Sequence, residues 1–133
     1  MRLDMAKTLA LVSAPLTMIE NNVVQPVSPS LWGDVILARK DTGLSYHLCV
    51  VVDDAIQGVT DIVRGEELLA ASAIHRVLQI LLQLPEPRYH HHALIRDEAG
   101  RKLSKSDHDT TLAEIRVSGV TADDTRRRLG FSG

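Results

Sequence analysis

The stretch Gln57-Gly58-Val59-Thr60-Asp61-Ile62-Val63-Arg64-Gly65-Glu66-Glu67-Leu68-Leu69 decides how this chain is built. Between its two glycines, residues 59–64 have the β-branched content of a strand. After Gly65 the period changes. Residues 66–84 carry Leu68, Leu69, Ala73, Val77, Leu81 and Leu84 at helical spacing. Glu66 and Glu67 suit the positive end of a helix dipole, and Pro85 stops the pattern.

Upstream, residues 46–54 read as a strand on propensity, because Val50, Val51 and Val52 run together. A buried helix has the same signature, and periodicity does not separate the two. Residues 34–39 read as a strand, with a turn at Asp41-Thr42-Gly43. Residues 14–31 hold Pro15, Pro26, Pro29, Asn21 and Asn22 and read as an irregular connector. Residues 3–12 have helical spacing that ends before Pro15. Downstream, residues 89–96 are extended, 97–100 form a turn and 101–106 form a loop or short strand end. Asp109 is placed to cap a helix over 110–117, and Thr121 one that runs to Arg128, with Gly130 as its stop. Strand, connection, strand, helix, strand and helices in that order predict an α/β fold with parallel strands. Ligands in that class sit at the carboxyl ends of the strands, where Arg64-Gly65 and the 102–106 loop fall.

Composition bounds the function. The chain has 133 residues, a size for one domain, and a formal charge of −2. That balance excludes a basic nucleic-acid arm and a disordered acidic tail. The single cysteine, Cys49, excludes an internal disulfide framework and a cysteine-rich zinc site. No apolar run nears the ~20 residues that cross a bilayer, so no membrane partner is expected and the setting is reducing and cytoplasmic.

Several clusters have the residue types that chemistry needs. Lys102-Leu103-Ser104-Lys105-Ser106 sets two ammonium groups three positions apart with a hydroxyl between them. Mobile point charges of that kind serve phosphate oxygens, and a solvated basic turn has the same composition. Arg64, where a strand enters a helix, can hold a carboxylate bidentately or pair with Asp61 or Glu67. Tyr46 can orient a small polar ligand or make one ordinary hydrogen bond. His90-His91-His92, with His75, invites a metal reading. On a strand only His90 and His92 share a face, and no acidic or cysteine partner sits at ligand spacing nearby. Asp53-Asp54 suits a hard cation or a solvated helix end. Arg126-Arg127-Arg128 is offset by Asp123 and Asp124 one turn away.

Taken in order, these pieces resemble one family. Tyr46 to Asp54, Gln57 to Leu69, His91, Leu94-Ile95, Gly100 and Lys102 to Ser106 are similar to the second half of the catalytic domain of glutamyl-tRNA synthetases. These are class I aminoacyl-tRNA synthetases, and Lys102 to Ser106 resembles their Lys-Met-Ser-Lys-Ser signature. Leu3 to Lys7 and Trp32 to Arg39 look most like the short glutamyl-Q tRNA(Asp) synthetase branch, as does the short stretch after Ser106. The resemblance implies the second half of a Rossmann-like parallel sheet with flanking helices and a small C-terminal helical segment. It divides the chain into a helix and irregular connector (1–31), a partial nucleotide-binding catalytic domain ending in the signature loop (32–106) and C-terminal helices (107–133). It makes residues 46–54 helical, and that is the expectation adopted here.

The resemblance also implies roles. Tyr46 and Arg64 would bind glutamate. Leu94 and Ile95 would meet the adenine of ATP through their backbone. Lys102, Leu103, Ser104, Lys105 and Ser106 would form the ATP-binding loop, with Lys105 and Lys102 as its catalytic cations. ATP enters as a substrate. The partners implied are glutamate, ATP and a tRNA, specifically tRNA(Asp). The family's His-Ile-Gly-His signature, its N-terminal amino-acid-binding stretch and its zinc-binding cysteines do not occur in these 133 residues. Zinc is therefore not expected. A chain that starts mid-domain implies a carboxyl-terminal piece or a stand-alone remnant, inactive alone. It would pair with itself or with a separate amino-terminal half. A non-catalytic binding module and a piece of a true glutamyl-tRNA synthetase are the alternatives.

Overall fold

Two asparagines with positive φ, Asn21 at 49° and Asn22 at 65°, fold back what the sequence presents as a connector. This computed structural model describes residues 1–12, 15–97, 99–103 and 109–131. The chain divides into two compact units, Met1–Ala93 and Leu94–Gly133.

In the first unit, β1 (Arg2–Leu3) leads into α1 (Met5–Leu11), which Asp4 caps by accepting from the Lys7 N–H. β2 (Thr17–Glu20) and β3 (Val23–Pro26) follow as an antiparallel hairpin with Glu20 opposite Val23. The expected irregular connector is thus half sheet. Positive φ at both central positions is the signature of a type I′ turn, and asparagine tolerates it. Pro26 lacks an N–H and sits on the edge strand, where that costs least.

The expected strand at 34–39 is also different. It is split into β4 (Val35–Ile36), paired with β1, and β5 (Ala38–Arg39), paired with β6 (Gly43–Leu44). Leu37 between them is buried, and its N–H is bonded to the Met1 carbonyl.

α2 (Tyr46–Gln57) takes the segment that propensity assigned to a strand. Ser45 caps it by accepting from the Leu48 N–H, and Gly58 closes it in the left-handed region at φ 68°. A residue with a Cβ is strained there, so the valine run is overruled by its two ends. Val51 is buried, with Leu48 and Val50 packed beside it.

β7 (Asp61–Gly65) then leads through a 3₁₀ turn, Glu66–Leu68, into α3 (Leu69–Leu81). The helix is shorter than the expected 66–84, and its buried face differs from the expected stripe. Leu69 and Leu81 are exposed. Ser72, Ile74, His75, Leu78 and Gln79 are buried with Ala73 and Val77. β8 (Arg88–His92) completes a four-stranded sheet of order β3-β2-β8-β7. β8 runs parallel to both β2 and β7. One core cluster joins α1, β4, α2 and α3 through Met5, Val35, Val51, Ile74, Val77 and Leu78. A second lies on the sheet, through Met18, Ile62 and Tyr89.

In the second unit a turn joins Arg96 to Lys102 in an antiparallel bridge, and the Leu103 N–H donates to the Ile95 carbonyl. α4 (Leu112–Val117) is capped by Thr111 in a reciprocal box with Glu114. The expected cap, Asp109, is instead ion-paired with Arg101. α5 (Ala122–Arg128) is capped the same way by Thr121 and Asp124. Arg126 pairs with Asp123 at 2.7 Å and Arg127 pairs with Asp124, so the arginine run is largely compensated on its own helix.

Candidate functional site

Three parallel strands bring their carboxyl ends together. Glu20 ends β2, Arg64 comes one residue before the end of β7, and His91 comes one before the end of β8. This is the edge of an α/β sheet where ligands bind.

Arg64 is half-buried. Its Nη1 lies 3.0 Å from His75 Nδ1, and its Cζ lies 5.8 Å from the centroid of the Tyr89 ring. His75 Nε2 is in turn 3.0 Å from His47 Nδ1. Tyr46, one residue before His47 in the first turn of α2, sets its ring 5.8 Å from both His47 and His75. The structure therefore gathers Tyr46 and Arg64 around one imidazole. Neither carboxylate weighed as an Arg64 partner forms an ion pair with it among the described residues. Asp61 accepts from Arg88 Nε and Nη2, both at 2.7 Å. Those bonds, with Thr60 and His90, hold the Asp61 carboxyl below the usual range.

The electrostatics follow from burial and the guanidinium. His75 is 1% exposed, and its pKa is lowered to about 3, first by desolvation, then by Arg64 and His47. Burial and Arg64 also lower His47. Burial raises Asp54, against the pull of Arg64. Tyr89 is fully buried, and that raises its phenol although Gln79 Nε2 donates to its oxygen at 2.9 Å. The result is a cluster at the sheet's carboxyl edge that holds a half-buried guanidinium, two neutral imidazoles and an exposed phenol, with the Asp54 carboxyl within its electrostatic reach. It is suited to an anion.

His91 belongs to a different network. Its Nδ1 lies 2.7 Å from Glu20 Oε2, its backbone N–H donates to Glu20 Oε1 at 3.0 Å, and its Nε2 is 2.9 Å from Ser72 Oγ. The order serine, histidine, carboxylate is that of a hydrolase triad. Ser72 is fully buried, however, and its hydroxyl donates to the Leu68 carbonyl. The string braces α3 against β8 and β2 and offers no nucleophile to a substrate. His90 contacts Asn21 and Asp61, so the histidine run is divided between separate partners. Among the described residues no three His, Cys, Asp or Glu side chains are grouped to hold a metal.

The remaining expected site residues lie in the second unit. Leu94, Ile95, Lys102 and Leu103 flank the turn, with the Ile95 carbonyl accepting from Leu103. Ser104, Lys105 and Ser106 lie outside the described residues. Sequence reasoning missed His47 and missed the role of His75. The available signal was a polar stripe, Ser72, His75 and Gln79, along an otherwise apolar helix.

Residues 12–131 match the family described as tRNA synthetases class I (E and Q), catalytic domain. The chain belongs to that family. The glutamyl-Q tRNA(Asp) synthetase of Rhodobacter capsulatus is 55% identical over 99 residues, 74% of this chain and 36% of that protein. The one from Xanthomonas axonopodis pv. citri is 52% identical, over 68% of this chain and 30% of that protein. The chain thus spans about a third of the length of the curated relatives it matches. Among solved structures, the glutamate-tRNA synthetase of Elizabethkingia anophelis matches with a TM-score of 0.60 at 27% identity, over 74% of this chain and 20% of that one. A glutamate tRNA ligase of Elizabethkingia meningosepticum, solved with its amino acid, matches with a TM-score of 0.58 at 31% identity, over 72% and 19%. The expected α/β class, part of a class I synthetase sheet with flanking helices, is what these matches and the parallel strands show. The chain is like glutamyl-tRNA ligases over part of their length.

Proposed function

We propose that this chain supplies the glutamate-binding wall and the ATP loop of a glutamyl-Q tRNA(Asp) synthetase-like ligase. In that reaction a glutamate carboxylate oxygen attacks the α-phosphorus of ATP and pyrophosphate leaves, giving glutamyl-adenylate, and the glutamyl group then passes to the queuosine of tRNA(Asp) as AMP leaves. Arg64 and Tyr46 hold glutamate. Leu94 and Ile95 border the adenine through their backbone. Lys105, with Lys102 and the serines around it, holds the phosphates as charge develops on the leaving group. ATP is consumed as a substrate, and no zinc is assigned to these residues. Reducing cytoplasm is the setting that fits the single cysteine, and no helix among the described residues is long and apolar enough to cross a membrane.

One observation carries this reading. Arg64 sits at the carboxyl end of a parallel strand with a neutral imidazole, not a carboxylate, as its hydrogen-bond partner. A guanidinium whose fork is not taken up by an ion pair with a carboxylate of the protein is suited to receive a carboxylate. The 52–55% identity to the glutamyl-Q branch favours it over the glutamyl-tRNA synthetases.

These 133 residues alone do not form adenylate, because activation requires reactants aligned from both sides and none of their sequence is the His-Ile-Gly-His signature. Titration with glutamate, followed by amide and side-chain NMR, tests the binding role. Shifts at Tyr46 and Arg64 that vanish in Arg64→Gln support it, and absence of shifts at millimolar glutamate rejects it. Pyrophosphate exchange with glutamate and ATP tests the inactivity, and exchange at ordinary enzyme rates would refute it.

A further inference from the structure

The string Arg64–His75–His47 has only one possible direction. A guanidinium carries donors and no acceptor. The atom 3.0 Å from Arg64 Nη1, His75 Nδ1, must therefore accept. A ring nitrogen that accepts bears no proton, so His75 is neutral with its hydrogen on Nε2. That hydrogen points at His47 Nδ1, 3.0 Å away, which accepts in its turn. His47 then carries its own proton on Nε2. The tautomers of both rings are fixed by one arginine.

The choice of partner has a consequence for charge. A carboxylate at position 75 would hold the guanidinium equally well and would cancel its charge. The imidazole holds one corner of the fork, contributes no charge and sits at 1% exposure, out of reach of water. Tyr89 supports the guanidinium from its ring face, 5.8 Å from Cζ. The groups around this string are Arg64 from β7, Tyr46, His47 and Asp54 from α2, and Tyr89 from β8.

We propose that His75 is a positioning residue for Arg64, a buried neutral acceptor that aims the guanidinium at its ligand without adding a negative charge of its own, with His47 locking the tautomer. This rests on the reading of Arg64 as a glutamate receptor, and it names the second layer of that same site. His75 itself touches no ligand.

The test uses the full 133-residue chain and three substitutions, His75→Gln, His75→Leu and His75→Glu. Nitrogen-15 NMR reads the imidazole tautomer and the rotation of the Arg64 guanidinium. The expected result is a His75 with a bare Nδ1 and a protonated Nε2, and a slowly rotating Arg64 in the parent. His75→Gln, whose Oε1 accepts in place of Nδ1, keeps Arg64 slow. His75→Leu frees it. His75→Glu keeps it slow but neutralises it. Glutamate affinity should then fall roughly tenfold or more in His75→Leu and His75→Glu, and change little in His75→Gln, as expected for loss of a hydrogen bond to a charged group. A merely structural histidine would give the same Arg64 rotation in all four proteins, and that result overturns the proposal, as does a protonated His75 Nδ1. If the tautomer and rotation behave as expected while the parent takes up no glutamate, the positioning role stands and the glutamate reading of the site fails.

Discussion

Glu20 receives two hydrogen bonds from one residue, the backbone N–H of His91 at 3.0 Å and its Nδ1 at 2.7 Å. The β2–β8 ladder pairs only Ile19 with Arg88 and Glu20 with Tyr89. The carboxylate extends that short parallel contact by one residue through a side chain. The His91 side chain is 4% exposed and that of Glu20 15%, so water does not replace the bonds when they are lost. Glu20→Ala should therefore destabilise the chain by about 1–3 kcal/mol, the range for leaving buried donors without an acceptor. Glu20→Gln keeps an acceptor and should cost less. Urea denaturation measures both, and equal, near-zero effects would show that the ladder needs no such clamp.

The Asn21-Asn22 turn makes a second case. Both residues have positive φ, 49° and 65°, and the hairpin registers Glu20 against Val23 around them. Asn22→Ala places an ordinary Cβ in the left-handed region and should cost about 1–2 kcal/mol. Asn22→Gly should be neutral or stabilising. Equal melting temperatures for the two variants would contradict the turn assignment.

That turn also shows why some of the fold could be read from the sequence and some could not. Residues 61–65 were legible as a strand because glycines bracket a β-branched run that opens directly into a helix. The hairpin was not, because its asparagines and prolines were read as breakers, although two asparagines between two four-residue extended runs are themselves a hairpin signal. The valine run 50–52 misleads on propensity. Its ends, Ser45 and Gly58, decide for a helix, and only family resemblance pointed that way. In the site, chemistry alone left Arg64 and Tyr46 with an ordinary structural reading beside the ligand one, and the family resemblance is what singled them out for glutamate. His75 and His47 did not stand out, because a histidine on an apolar helix face looks the same in sequence whether it packs, binds a metal or accepts from an arginine two elements away.

Acid should loosen the protein before its carboxylates titrate. Protonating His75 breaks its bond from Arg64 and charges a buried ring, so its pKa falls from 6.5 to about 3 on folding. Above pH 6.5 the ring is neutral in both folded and unfolded chains, and its contribution is fully present. As pH falls below 6.5 the unfolded chain takes up a proton that the folded chain refuses, and stability is lost at about 1.4 kcal/mol per pH unit until about pH 3. His47, lowered for the same reasons, adds to the loss. Asp54, raised by burial, acts in the opposite sense in the carboxylate range, so the comparison belongs between pH 7.5 and 5. Unfolding free energies over that window should fall more steeply for the parent than for His75→Gln. Parallel curves would mean that His75 titrates normally.

Gln79 and Tyr89 provide the strictest test of the buried polar stripe on α3. Gln79 Nε2 donates to the Tyr89 hydroxyl at 2.9 Å, in a place where neither side chain meets water. Gln79 Oε1 has no hydrogen-bond partner among the described residues. Removing the hydroxyl leaves the amide with an unmet donor as well, and Tyr89→Phe should cost about 1–3 kcal/mol. Gln79→Leu removes both amide groups and strands only the phenol. The double substitution strands nothing, so it should be less damaging than the sum of the two and close to the parent in stability. That non-additivity is the signature of a penalty set by unpaired groups and not by lost packing. If the two changes simply add, the pair is held by shape alone, and the volume of the aromatic ring is what matters at position 89.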